Sequence, residues 1–209
     1  MILGYTPSKL DGTEHVFTPS INSPLPEEYT YRGTISPVDD QGSKPWCLPY
    51  SLTSILNTEM NMRNNTAGLD YGFSERDIYR WRENKKVDGM MPKTALHHLR
   101  HDGLDSEIGR KLYIDQYFLI RPSEKSIKEA ILLNGPVLIA LRVKDSTRDD
   151  FWNGDGDEGG HAIVLVGYNK DGFILRNSWG KSYGDGGYIL FPKDKVKDIL
   201  EAWTVTYRI

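Results

Sequence analysis

The chain has 209 residues, of which 38% are hydrophobic and 26% are charged, and its formal net charge is -3 at pH 7. This length predicts one domain, or one domain divided into two lobes, with enough chain for a sizeable core. The slight negative charge offers no basic surface to nucleic acid, and no run approaches the roughly 18 apolar residues of a membrane span. We therefore expect neither a nucleic-acid partner nor a membrane partner.

Cys47 is the only cysteine of the chain, which excludes an intramolecular disulfide. Disulfide-stapled domains are mostly secreted, whereas a chain without disulfides suits a reducing compartment. The first seven residues also lack the basic and apolar regions of a secretory signal. These features predict a cytoplasmic location, in a bacterial cell or in a virus-infected host cell.

Residues 1–33 are rich in proline, serine and threonine and show neither helical nor strand periodicity. They predict an N-terminal arm or short leader that precedes a domain at 34–209. Two roles are open for this arm. It either wraps the domain as a structural element or crosses a cleft as an inhibitory segment.

Helical signals dominate residues 40–110, the predicted helical lobe. A first helix is predicted from Cys47 to about Met62, because apolar residues recur there at spacings of three and four. Ser74 begins a capping pattern that predicts a second helix, ending near Lys86. Pro92 is expected to start a third helix, which ends at residues 101–103.

Strand signals dominate residues 111–209, the predicted β lobe, apart from one helix at 123–134 that Gly135 and Pro136 end. A helical first half and an antiparallel second half predict an α+β fold with two lobes and a cleft between them. The predicted strands are 111–121, 137–141, 161–168, 172–176, 187–191 and 203–209, with a short helix at 193–200.

Cys47, in the first turn of the predicted helix, is the candidate nucleophile. The N–H groups and partial positive charge of a helix N-terminus favour a thiolate over a thiol. Gln41 lies six residues earlier, from where its amide can donate a hydrogen bond to charge that develops on an attacked carbonyl. A lone cysteine is, however, most often a small buried hydrophobe, so the assignment depends on partners elsewhere in the chain.

A cysteine nucleophile needs a base, and the base needs a group that orients it. His161 precedes a five-residue apolar run and follows a glycine-rich segment, a pattern typical of a side chain that projects into a cleft. Asn177 ends a predicted strand, where its amide can fix the plane and tautomer of an imidazole. Trp179 can shield that hydrogen bond from water.

Two other clusters suggest metal binding only weakly. His97, His98 and His101 lie on the third predicted helix, but no clustered carboxylate or thiol completes a metal site, and a solvated helix face explains them better. The acidic loop at 154–158 carries only part of the EF-hand pattern for calcium. We expect no metal and no cofactor.

From about residue 30 to the C-terminus, the chain resembles the papain-like cysteine peptidases. Three separated motifs match that family in their order along the chain and in their internal spacing. The resemblance implies the papain-like two-lobed fold, with a helical N-terminal lobe and an antiparallel, β-barrel-like C-terminal lobe around an active cleft. The matching stretches are Gln41-Gly42 with Cys47, Gly160-His161-Ala162 with Val166-Gly167-Tyr168, and Asn177-Ser178-Trp179-Gly180 with Gly184-Asp185-Gly186-Gly187-Tyr188.

The resemblance implies a cysteine endopeptidase that hydrolyses peptide bonds through a thioester acyl-enzyme. Cys47 would be the nucleophile, His161 the base and then the acid, and Asn177 the residue that orients His161. Gln41 and the backbone N–H of Cys47 would form the oxyanion hole. The expected partner is a peptide or protein substrate.

Six substrate-binding residues are expected in addition. Gly89 would lie on a strand that pairs with the substrate backbone. Met90 and Met91 would line an apolar pocket for the side chain two residues before the scissile bond, with ordinary core packing as the alternative. The others are Trp46, which would narrow the site, Trp179, which would cover the base, and Ala162, which follows it.

The chain also departs from the family pattern. Lys44 stands where the family usually has a disulfide cysteine, and residues 1–33 are too short and too rich in proline to form the family's long helical propeptide. Two alternatives therefore stay open: a narrow processing or self-processing peptidase that trims one partner or its own arm, and a non-catalytic peptide-binding module on the same fold. The sequence leaves the oligomeric state open.

Overall fold

The computed structural model describes residues 3–83 and 85–208 and has the α+β architecture that the sequence predicts. Helices lie mainly in the first half, where the apolar residues have helical spacing, and strands lie mainly in the second half. None of the helices in the described ranges is both long and apolar enough to cross a membrane. The helices are α1 (Cys47–Arg63), α2 (Glu75–Arg80), α3 (Pro92–His101) and α4 (Glu124–Asn134), with a 3₁₀ helix at Lys193–Asp198.

One antiparallel sheet forms the second half of the fold, with its strands in the order β4-β9-β5-β6-β7-β8 and with β1 also paired to β6. Its central strands β5 and β6 are almost continuously apolar, because helices or the N-terminal arm cover them. A two-stranded sheet, β2 with β3, lies apart. The strands are β1 (Tyr29–Thr30), β2 (Leu104–Asp105), β3 (Lys111–Leu112), β4 (Ile114–Leu119), β5 (Val137–Val143), β6 (Gly159–Tyr168), β7 (Gly172–Arg176), β8 (Tyr188–Pro192) and β9 (Glu201–Tyr207).

Several boundaries differ from the predicted ones. The second helix was expected to reach about residue 86 but ends at Arg80, because the charged residues that follow offer no apolar face to bury. The predicted strand 111–121 is two strands with different partners, since β3 pairs with β2 and β4 pairs with β9. The last strand begins at Glu201, two residues earlier than predicted, where it pairs with Ala140 of β5.

Helix α1 is buried along most of its length and packs on β5 and β6. Its buried polar side chains have local partners: Asn57 binds Asp70 and the N–H of Tyr71, and Asn61 binds the backbone of Leu69. These bonds hold the loop after the helix against its side. At the other end of the helix, the first turn of α1, with Cys47, lies against β6.

Arg176, the last residue of β7, ties the sheet to the start of α1. Its side chain is only 1% exposed, and its guanidinium donates to the Ser54 hydroxyl and to the carbonyls of Ser36 and Pro37. The Asp39 carboxylate lies 3.5 Å from the same group. Because Asn177 follows directly, this anchor also places the end of β7.

The N-terminal arm is attached to the domain at several points. Leu119 exchanges backbone hydrogen bonds with His15 and Phe17, at 2.8 and 2.9 Å. The buried carboxylate of Glu129 accepts the N–H groups of Ser20 and Ile21, at 2.7 and 3.0 Å. Together with the pairing of β1 on β6, these contacts make residues 15–31 part of the fold.

Replacing Arg176 with Met should lower the free energy of unfolding by about 1–3 kcal/mol, because the carbonyl of Ser36 and the Asp39 carboxylate lose their donor. Denaturant titration of both chains measures the change. Arg142→Met is the matched control, since Arg142 forms an exposed ion pair with Asp157, and its effect should stay below about 0.5 kcal/mol. Equal destabilisation by the two variants would contradict the anchoring role.

Candidate active site

Cys47 begins α1, and its sulfur lies against β6. Sγ accepts a hydrogen bond from the backbone N–H of Ala162 at 3.4 Å, although the two residues are 115 positions apart in the chain. The thiol is completely buried. The predicted nucleophile is therefore placed beside the residue that follows the predicted base.

His161 and Asn177 form the hydrogen bond that the sequence predicts. His161 Nε2 lies 2.8 Å from Asn177 Oδ1, and the N–H of Ser178 donates to the same oxygen at 2.8 Å. The Trp179 ring lies over the imidazole, with 4.6 Å between centroids, and Phe151 contacts its edge. His161 Nδ1 is buried and has no hydrogen-bond partner among the described residues, so it is the nitrogen available to a thiol.

Gln41 joins this group through Ser178. The Ser178 hydroxyl donates to Gln41 Oε1 at 2.7 Å, and Gln41 Nε2 donates to the carbonyl of Lys44 at 2.9 Å. The backbone N–H of Gln41 also donates to the carbonyl of Ser178, at 2.8 Å. These bonds fix the orientation of the Gln41 side-chain amide. Its Oε1 faces Ser178, and its Nε2 faces the segment just before Cys47. Sequence reasoning missed Ser178, whose place between Asn177 and Trp179 was the available signal.

Residues 3–6 of the arm, which we call the plug, lie directly on this site. Gly4 accepts a backbone hydrogen bond from Met90 at 2.9 Å, and Thr6 donates one to Met90 at 3.1 Å. Gly4 packs so closely on the backbone of Pro45 that a Cβ there would collide with it. Leu3 lies against Gly159 on the other side. The arm therefore crosses the cleft, one of the two roles that the sequence left open.

The predicted substrate-binding residues differ in how they contact the N-terminal arm. Met90, not Gly89, exchanges the backbone hydrogen bonds with the plug, while Gly89 is buried beneath Thr6 with φ of +101°. The prediction named Gly89 from the resemblance of its loop to the family's substrate-binding strand; in the structure the backbone contacts are made by the next residue. Met91 is half-buried beside the arm. Trp46 is half-buried at the rim, where its ring lies 5.4 Å from that of Tyr79.

A model of the papain family cysteine proteases matches residues 25–207. The chain belongs to the papain family. The match spans the helices, the sheet and the four residues predicted to do chemistry, Gln41, Cys47, His161 and Asn177.

Curated papain-family relatives share about a quarter of their residues with this chain. Cathepsin K of Mus musculus is 25% identical over 221 aligned positions, which cover 90% of this chain and 66% of cathepsin K. Procathepsin L of Rattus norvegicus is 25% identical over 207 positions, which cover 82% of this chain and 61% of procathepsin L. The chain thus spans less than two thirds of the length of these relatives.

Solved structures of the papain family share the fold. Xylellain, a cysteine protease from Xylella fastidiosa, superposes with a TM-score of 0.83 at 19% identity, covering 99% of this chain and 96% of xylellain. Procathepsin B S9 from Trypanosoma congolense superposes with a TM-score of 0.81 at 16% identity, covering 100% of this chain and 87% of that one. The papain-like architecture extends over the arm as well as the domain.

Burial shifts the pKa values of Cys47 and His161 in opposite directions. Burial raises the pKa of the Cys47 thiol, and the backbone N–H groups of Ala162 and Gly4 offset this only in part. Burial also lowers the pKa of His161 to about 4, against the raising effect of the Asn177 hydrogen bond. The expectation of a thiolate at the helix N-terminus is therefore wrong for the covered site, because water exclusion outweighs the helix end.

The weaker metal hypotheses find no support in the described ranges, which contain no cluster of three or more His, Cys, Asp or Glu side chains able to hold a metal ion. His98 stacks on Trp81 and lies 2.6 Å from Asp102, so it is part of a helix-surface pair. Asp157, in the acidic loop, pairs with Arg142.

Gly4→Ala should open the site, because its Cβ would overlap the Pro45 backbone. We expect iodoacetamide to label Cys47 roughly tenfold faster or more, the effect of shifting the closed–open balance by about 1.4 kcal/mol. Labelling should also extend to lower pH than in the unmodified chain. Hydration lowers the pKa of Cys47 and raises that of His161, so a thiolate–imidazolium pair forms.

Gly33→Ala is the matched control, since a Cβ at this exposed glycine meets nothing within 4 Å. Because the chain has one cysteine, mass spectrometry assigns all labelling to Cys47. Identical rates and pH profiles for the two variants would show that the plug does not control access to the thiol.

Proposed function

We propose that this chain is a cysteine endopeptidase whose cleft is closed by its own N-terminal arm. The observation that carries the proposal is the convergence of four distant side chains. The Cys47 sulfur lies on the N–H of the residue after His161, His161 is bonded to Asn177, and Ser178 links Asn177 to Gln41. A binding module on this fold would have no need of all four, which favours an enzyme over that alternative.

In the open form, His161 Nδ1 takes the proton of Cys47, and the thiolate attacks the carbonyl carbon of a peptide bond. The C–S bond forms as negative charge develops on the carbonyl oxygen, which the Gln41 amide and the backbone N–H of Cys47 stabilise. His161 then gives its proton to the leaving amine, and the C–N bond breaks. Water, deprotonated by His161, attacks the thioester, and the acid product leaves with Cys47 restored.

The plug is the inhibitory element of the arm. Its backbone at Gly4 presents an N–H to the Cys47 sulfur, whereas a scissile peptide must present its carbonyl carbon. Tyr5 also runs parallel to Met90 in its backbone pairing. Residues 3–6 thus fill the cleft without offering a bond to cleave, which disfavours self-processing of this segment within one molecule.

The arm divides into two parts with different roles. Residues 3–14 contact the cleft and its rim, including the ion pair of Lys93 with Glu14, at 2.6 Å. Residues 15–31 are bonded to β4, α4 and β6 and belong to the structural domain. The boundary between leader and domain then falls near residue 14 rather than near the predicted residue 33.

Cleavage of a peptide library by the full chain carrying Gly4→Ala tests the activity. We expect turnover above that of the unmodified chain, none when Cys47→Ala is added, and a larger loss in kcat than in substrate affinity when Asn177→Ala is added. Turnover that survives Cys47→Ala would refute the nucleophile. Rapid thiol labelling without cleavage of any peptide would refute the activity.

Ser178 should act as a positioning residue through Gln41. In the Gly4→Ala chain, Ser178→Ala should lower kcat about tenfold, less than the roughly hundredfold loss of a whole oxyanion donor, with KM nearly unchanged. With Gln41→Ala present, the same change should have no further effect, because among the described residues the Ser178 hydroxyl is hydrogen-bonded to that amide. Additive losses in this cycle would contradict the assignment.

A further inference from the structure

Lys93, the second residue of α3, forms ion pairs only with the N-terminal arm among the described residues. Its ammonium lies 2.6 Å from the Glu14 carboxylate and 3.4 Å from that of Asp11. The Lys93 side chain is 24% exposed, and that of Glu14 is 4% exposed. Glu14 also accepts the backbone N–H groups of Asp11 and Gly12, both at 3.0 Å. Residues 11–14, which we call the acidic turn, thus pack two carboxylates on one partly buried cation.

The start of α3 adds to the positive potential around this ammonium. Helix α3 has no acidic residue in its first turn, and the side chain of its N-cap residue, Met91, accepts no hydrogen bond there. The backbone N–H of Lys93 instead donates to the Ser8 hydroxyl of the arm, at 3.0 Å. Because the N-terminal end of a helix attracts negative charge, it strengthens the preference of the ammonium for a carboxylate.

The acidic turn lies farther along the path that the plug takes through the cleft. Tyr5 pairs with Met90 beside the nucleophile, and three residues later Ser8 reaches the start of α3. The Met90 region is expected to bind the residue two before the scissile bond. Since an extended chain spans about 3.3 Å per residue, a substrate in place of the arm passes Lys93 about two to four residues farther from that bond.

We propose that Lys93 is a substrate-binding residue that selects an acidic side chain N-terminal to the scissile bond, and that the arm fills this subsite with its own carboxylates when the cleft is closed. The inference rests on the proposed peptidase function. Displacement of residues 3–14 leaves the ammonium without the two carboxylates that it pairs with in the described ranges. A glutamate or aspartate of the substrate restores an ion pair there, whereas a neutral residue does not.

Selectivity is tested with the full chain carrying Gly4→Ala and with peptide pairs that differ only in one glutamate or glutamine. The exchanged residue is placed in turn at each position from the third to the sixth before the scissile bond. At the position that reaches Lys93, kcat/KM should be about twofold to fivefold higher for glutamate, the effect of one partly exposed ion pair. Added salt should reduce this ratio toward one. Equal kcat/KM at every position would overturn the assignment.

Lys93→Gln should bring the ratio to about one, whereas Lys170→Gln, the matched control, should leave it unchanged. Lys170 lies between β6 and β7 and forms an exposed pair with Asp171, at 3.1 Å. Both variants remove one positive charge, so the comparison separates a local contact from an effect of net charge. A ratio that persists in Lys93→Gln, or that Lys170→Gln also removes, would overturn the assignment.

Competition with the arm is tested by neutralising the acidic turn. Asp11→Asn with Glu14→Gln, added to the Gly4→Ala chain, should raise the glutamate-to-glutamine ratio, because the arm then no longer competes for the ammonium. In the chain with Gly4 intact, the same two changes should speed the labelling of Cys47 by iodoacetamide about twofold to fivefold. If neither the ratio nor the labelling rate changes, the arm does not occupy the subsite.

Protection of Cys47 from iodoacetamide separates this inference from the peptidase proposal. In the Gly4→Ala, Asn177→Ala chain, the glutamate peptide should protect at a lower concentration than the glutamine peptide, and Lys93→Gln should abolish the difference. Such protection without cleavage of any peptide by the Gly4→Ala chain would refute the activity and keep the subsite. Cleavage without any preference for glutamate would refute the subsite and keep the activity.

Discussion

The contact between the first turn of α1 and strand β6 is the constraint on which the site depends. It brings the Cys47 sulfur to the Ala162 N–H across 115 positions of chain, and both elements are buried where they meet. Asn177 is also fixed relative to α1. It follows Arg176, whose side chain holds the end of β7 against this helix. Packing of this kind has few alternative arrangements, so the polar groups are positioned before any substrate arrives.

The exposure of these groups to water determines which protonation states they favour. Under the plug, desolvation favours the neutral thiol and the neutral imidazole, as the raised pKa of Cys47 and the lowered pKa of His161 indicate. We expect displacement of residues 3–6 to hydrate both groups and to reverse these shifts. In the proposed function, the arm therefore acts on the protonation of the site as well as on access to it.

The sequence predicted the parts of the fold that depend on periodicity and on local chemistry. The apolar spacing after Cys47 defined α1, and the motifs around His161 and Asn177 identified the groups that meet. It could not predict contacts made by segments without periodicity. The plug's pairing with Met90 depends on tertiary approach, and burial by the plug is what made the thiolate expectation wrong. The hydrogen bond from Tyr5 to Glu201 likewise joins residues 196 positions apart and has no local signal in the sequence.

The energetics of the plug explain why a tethered segment can still be displaced. The hydrogen bonds of residues 4–8 to Met90 and Glu201 are each worth about 0.5–1.5 kcal/mol net, so together they hold the cleft closed by only a few kcal/mol. An extended substrate can make equivalent backbone hydrogen bonds to Met90. The free energy of these bonds therefore largely cancels when the substrate replaces the plug. The tether, however, gives the plug an effective concentration in roughly the millimolar range. A substrate at lower concentration must therefore gain its advantage from contacts that the plug does not make.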